Sequence, residues 1–189
     1  MGVFRKIGAV ISRPSEFFED AISENIAPAF GYAALIYAIY FILLTPVLLV
    51  GAIFIETPAF LIDMGLSTAE IALLLVLILI LGYLVKLIFT FILAALFHMW
   101  CLLWGAIGDY TDSYKAVVYA ITPTALLGWT IVLLPITIIW SWVLLGIATA
   151  KMHNFSKTKT FWMIFVLFVI LAAIGGTSAF FFPPSFTLA

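Results

Sequence analysis

Charge is what this sequence most lacks. Of 189 residues, eight are Lys or Arg and nine are Asp or Glu, together 9%, where a soluble domain carries about 25%. So few ionised side chains cannot coat a globular surface, which excludes an ordinary soluble domain. The net charge of −1 leaves no electrostatic footprint for nucleic acid. A single cysteine, Cys101, excludes an intrachain disulfide framework. There is no Gly-rich phosphate loop and no acidic metal cage. No apolar run contains paired carboxylates or a Ser with a basic neighbour, so general acid–base and nucleophilic chemistry have no visible carriers. The expectation is a non-enzymatic protein without a cofactor.

Apolar residues are abundant, at 66% of the chain. A spanning helix needs about 20 predominantly apolar residues. Residues 29–55 and 71–97 satisfy this, the second interrupted only by Lys86. Residues 116–150 are free of charge but too long for one pass, and Pro135 stands near the middle. They divide into spans 116–134 and 136–150 joined by a tight turn. Residues 161–182 form the last span, closed by Pro183-Pro184. The runs are continuous rather than alternating, which argues against a transmembrane β-barrel. The reading is all-α: a polytopic bundle of five transmembrane helices over 29–182. It is preceded by a cytoplasmic segment, 1–28, and followed by an external tail, 183–189.

Basic residues test that count. Arg5, Lys6, Arg13, Lys115, Lys151, Lys157 and Lys159 all fall on one side of a five-span chain, and the intervening segments on the other side carry none. Such asymmetry places the amino terminus in the cytoplasm and the carboxyl terminus outside. No cleavable signal peptide is visible. Lys6 stands where a myristoylation site needs Ser or Thr.

Val3, Phe4, Ile7, Val10 and Ile11 recur at helical spacing, predicting a short amphipathic interfacial helix with Arg5 and Lys6 off that face. A second helix follows Pro14, with Ser15 as the N-cap. It has an apolar face of Phe17, Phe18, Ala21 and Ile22. Its acidic face, Glu16, Glu19, Asp20 and Glu24, is either an anchoring cuff neutralised by Lys151, Lys157 and Lys159 or a docking surface.

The candidate polar positions are Lys86, His98, Asp109, Asp112, Tyr119, Thr122 and Pro123. Lys86 is the one charge within a span. It either snorkels its ammonium to the headgroups or marks a functional site. His98 and Cys101 share a helix face, but two zinc-type ligands do not make a metal site. Asp109 or Asp112 would cap the helix that follows. Thr45-Pro46 and Thr122-Pro123 mark kinks whose freed carbonyls find local partners.

Certain strings carry a resemblance. They are Arg13-Pro14-Ser15-Glu16-Phe17-Phe18, the stretch from Gly108-Asp109-Tyr110 through Tyr119-Ala120-Ile121-Thr122-Pro123, and Met152-His153-Asn154-Phe155-Ser156-Lys157-Thr158-Lys159. In these the chain resembles the YIP family of five-span, Ypt/Rab-interacting membrane proteins, in its short prokaryotic form, over roughly residues 10–182. The resemblance implies scaffolding or recruitment of partners at the cytoplasmic membrane face, with a role in membrane organisation or traffic. The expected partners are the lipid bilayer and a cytosolic or membrane protein. The alternative is a small channel or transporter with its site near Lys86, Pro46 and Pro123.

Overall fold

A computed structural model describes residues 2–54, 65–130 and 132–181, with side chains described through residue 51, for 65–130 and for 132–174. Its described elements are all helices: α1 Val3–Ser12, α2 Pro14–Ala21, α3 Ile26–Phe54, α4 Thr68–Leu103, α5 Tyr110–Ala120, α6 Thr122–Leu127, α7 Leu134–Met152 and α8 Lys157–Phe181. Four of them, α3, α4, α7 and α8, are long and apolar enough to cross a membrane. Most of the segment between the first two apolar runs, with Glu56 and Asp63, and the tail 183–189 lie outside the described residues.

Residues 116–134, expected as one span, do not form one helix. That stretch is divided between two short helices, α5 and α6, which break at Ile121 and end at Leu127. Pro123 explains the break. It lies in the first turn of α6, where a missing N–H costs nothing, and α5 must stop before it. Pro123 cannot donate to the Tyr119 carbonyl one turn back, and that carbonyl accepts a 2.6 Å hydrogen bond from Thr122 Oγ1. The turn expected at Pro135 lies earlier, before Leu134, and Pro135 stands in the first turn of α7. Pro46 is tolerated inside α3, and Thr45 donates to the Phe41 carbonyl one turn back at 2.7 Å.

The helix ends follow local chemistry. Ser67 and Glu70 form a capping box at the start of α4. At its end Gly105 takes a φ of +73°, the N–H of Gly105 reaches the Leu102 carbonyl and that of Ala106 reaches Cys101. This Schellman closure is cheap only for glycine. The end of α7 closes the same way with Asn154 at φ 54°. The expected N-cap Ser15 is also corrected. Arg13 occupies the cap and Pro14 opens α2.

α5 is the hub. Seven of its residues, Ser113 to Ala116 and Val118 to Ala120, are buried, and α3, α4 and α7 all pack against it. Lipid supplies no hydrophobic drive between helices, so close packing and interhelical hydrogen bonds, each worth roughly 0.6–2 kcal/mol, must hold such a bundle. They are present: Tyr32 with Thr122 at 2.7 Å, Tyr37 with Thr90 at 3.0 Å, Tyr110 to the Phe91 carbonyl at 3.0 Å, and Thr124 with Ser141 at 2.9 Å.

Candidate functional site

Polar side chains converge at the end of the bundle where α2, α4 and α7 finish and α5 and α8 begin. This basic end is built from two clusters, one on either side of α5.

The first cluster fastens α1 and α2 to α5. Lys6 Nζ lies 2.6 Å from both carboxylate oxygens of Glu24 and 3.0 Å from the Tyr119 hydroxyl. Tyr119 in turn donates to Glu24 at 2.7 Å. Lys115 is only 1% exposed. Its ammonium donates to the carbonyls of Ala21, Ile22 and Glu24 at 2.8–2.9 Å, and Asp112 pairs with it at 3.0 Å. The first two of these carbonyls belong to the end of α2, where a cation also complements the helix dipole, and the third lies in the turn that follows. Burial works to raise the Glu24 carboxyl. The hydrogen bonds from Lys6 and Tyr119, with the charges of Lys6 and Lys115, overcome that and hold it below the ordinary carboxylate range.

This geometry corrects the reading of α1. Lys6 lies inside the protein rather than off the packed face, and Val10 is buried beside it. Phe4, 77% exposed, faces away from the bundle. Of the expected apolar face of α2, Phe17, Phe18 and Ala21 are buried and Ile22 is exposed. Among the expected neutralising lysines, Lys151 pairs with Glu19 at 3.1 Å, whereas Lys159 lies over the Phe155 ring at 4.1 Å.

The second cluster centres on Ser113. Its hydroxyl lies 2.9 Å from His98 Nδ1 and 3.0 Å from His153 Nε2. One hydroxyl has one proton and two lone pairs, so it donates to at most one imidazole and accepts from at least one. In either arrangement His153 Nδ1 is buried without a partner. Burial pushes the His153 imidazole below its ordinary range, against the opposing charge of Asp112. A side chain at Gly108 would meet His153 Nδ1 at 2.5 Å and both Asp112 Oδ2 and the Met152 carbonyl at 2.9 Å, so only glycine allows the loop to cover the cluster. Cys101 is buried on the same stretch of α4. Among the described residues no three His, Cys, Asp or Glu side chains converge as metal ligands.

Asp109 is the N-cap of α5 and closes a capping box with Asp112. His98, Asp109 and Asp112 therefore meet around Ser113 and His153, and Tyr119 joins Lys6 and Glu24. Thr122 and Pro123 form the joint between α5 and α6. Lys86 stands apart, in the middle of α4, with its ammonium 5.2 Å from the centre of the Tyr37 ring. Sequence reasoning left out Lys6, Glu24, Ser113 and Lys115 as candidates. Lys115 carried the only available signal, as the lone basic residue between two apolar runs.

No curated protein and no solved structure matches the chain significantly. The family described as Yip1 domain matches residues 8–179. That match covers the second cluster, the first apart from Lys6, and the long helices as far as residue 179, and on it the chain belongs to the Yip1 domain family.

Proposed function

We propose that this integral membrane protein is a non-enzymatic scaffold that recruits a protein partner at its basic end, on the cytoplasmic side. The observation that carries the reading is the clamping of α1 and α2 onto α5 by Lys6, Glu24, Tyr119 and Lys115. The clamp holds the hairpin in place and leaves Glu16, Glu19 and Asp20 exposed, with Glu16 3.6 Å from Arg13, Glu19 paired with Lys151, and Glu16 and Asp20 lining a groove shared with Arg5 and Lys6. A clamped charged face of this kind is a docking surface of fixed shape. Phe4, exposed beside Arg5, supplies the interfacial contact with anionic headgroups.

Five crossings are the count that this reading adopts, with 1–28 inside and the tail outside. α4 ends and α7 ends at the basic end, since His98 and His153 both reach Ser113. The chain between them must therefore leave that end and return, and α5 with α6 supplies the outward crossing in broken form. Cysteine labelling should find Lys157→Cys accessible from inside and Ser67→Cys from outside. Both on one side would end the five-crossing reading.

The transport alternative has less support. Thr45 and Thr122 hydrogen-bond to carbonyls of their own segments, and Lys86 rests on Tyr37. A photo-crosslinker at Glu16 or Asp20, introduced in native membranes, tests the scaffold. The expected result is one shared protein adduct from both positions, lost when Lys115→Met frees the hairpin. Adducts that survive that change unaltered, or lipid adducts alone, would refute docking by the clamped face.

A further inference from the structure

The side of the bundle away from α3 carries a feature that partner recruitment does not use. A groove of about 630 Å³ runs between α7 and α8. Its walls are apolar, with Ile139, Trp142 and Val143 on one side and Ile164, Phe165 and Phe168 on the other. Lys151 and Lys157 line it where α7 ends and α8 begins, so its charge is confined to the basic end.

Its length is that of one leaflet. From Lys157 to Phe168 along α8, or from Lys151 to Ile139 along α7, is about 16–18 Å of helix, and half of a bilayer's hydrocarbon core is about 15 Å. Its charge is that of one anion. Lys151 is committed to Glu19, whereas Lys157 is exposed and has no ion-pair partner among the described residues. The first turn of α8, where Ser156 already takes the Lys159 N–H, adds the N–H groups of Lys157 and Thr158 and the positive dipole end that favour phosphate. Gly146 keeps the groove open. A Cβ there would only just touch Ile164 and Thr160, at 4.0 Å, so a longer side chain would occupy the space itself.

We infer that the α7–α8 groove is a binding site for one anionic phospholipid of the leaflet at the basic end, with an acyl chain between the helices and its phosphate against Lys157. A zwitterionic lipid brings its own cation to the phosphate and gains less from Lys157. One juxtamembrane lysine is worth about fivefold in preference for an anionic lipid.

The test is native mass spectrometry of the full chain released from vesicles of equimolar phosphatidylglycerol and phosphatidylcholine. The wild type should retain one lipid, phosphatidylglycerol about fivefold over phosphatidylcholine. Lys157→Gln should equalise the two while keeping the adduct. Gly146→Leu should remove adducts of both kinds with the helix content unchanged. Should Gly146→Leu fail to fold, Ile139→Trp blocks the deep end from an exposed position and should lower retention of long-chain lipid more than short-chain lipid. A wild type without preference overturns the assignment. So does full retention in the folded groove variants, or a dimer whose formation displaces lipid, which would make a second copy the occupant.

Discussion

The two ends of the bundle are held by different forces. At the basic end, Tyr32, Tyr37, Tyr114, Tyr119, Lys115 and His153 are all but fully buried around α5. Toward the other end, the second half of α3 and the first half of α4 turn Ile42, Val50, Leu73 and Leu81 outward. An exposed leucine in lipid costs nothing, because the tails are as apolar as the side chain. Position in the bundle therefore cannot be specified by burial alone. The hydroxyls of Tyr32, Tyr37 and Tyr119 and the two polar clusters specify it, since a buried polar atom that loses its partner is costly.

That contrast can be broken at its strongest point. Lys115→Met leaves the carbonyls of Ala21, Ile22 and Glu24 and the Asp112 carboxylate without their cation, and should destabilise the protein by about 3–5 kcal/mol. Hydrogen exchange in residues 14–24 should rise in the same variant, and unchanged protection there would refute the clamp. Gly108→Ala should cost about 1–3 kcal/mol by overpacking against His153 and the Met152 carbonyl, seen as a lower unfolding midpoint in detergent.

Acid should act on the basic end through two groups. His153 is held neutral, so its contribution is complete above the ordinary imidazole value of about 6.5 and is lost as pH falls below it, with a slope of at most about 1.4 kcal/mol per pH unit. Glu24 is held ionised, and its contribution is lost in a second, lower window, as pH falls through the carboxylate range. His153→Gln should flatten the upper step and spare the lower. The smallest effects belong to α4. Lys86→Met gives up one cation–π contact with Tyr37, worth about 1 kcal/mol or less, and Leu81→Ala should stay within about 0.5 kcal/mol. A large loss for Lys86→Met, rescued by Lys86→Arg, would move transport ahead of scaffolding.

The long helices were legible because a charge-free run of the right length has few alternatives in a membrane. The Asp109–Asp112 cap was legible too, because its signal is local. The division of the third apolar run was not. Hydropathy sees that residues 116–134 are apolar, but not that Pro123 begins a new helix or that α5 is enclosed by protein. The clamp was illegible for a different reason. Lys6 and Glu24 lie far from Lys115 and Tyr119 in the chain, and each alone resembles a solvated surface residue. The mistaken face of α1 shows the cost of that reading: periodicity put Lys6 in water, and one carboxylate across a turn brought it inside.

The helices also differ greatly in length. α4 has 36 residues, about 54 Å, and α7 has 19, about 28 Å. A hydrocarbon core of about 30 Å fits the second and not the first. The excess length of α4 is taken up by tilt, by local thickening of the bilayer, or by turns that stand beyond the hydrocarbon core, and the polar Ser67–Glu70 cap suits its first turn to the last of these.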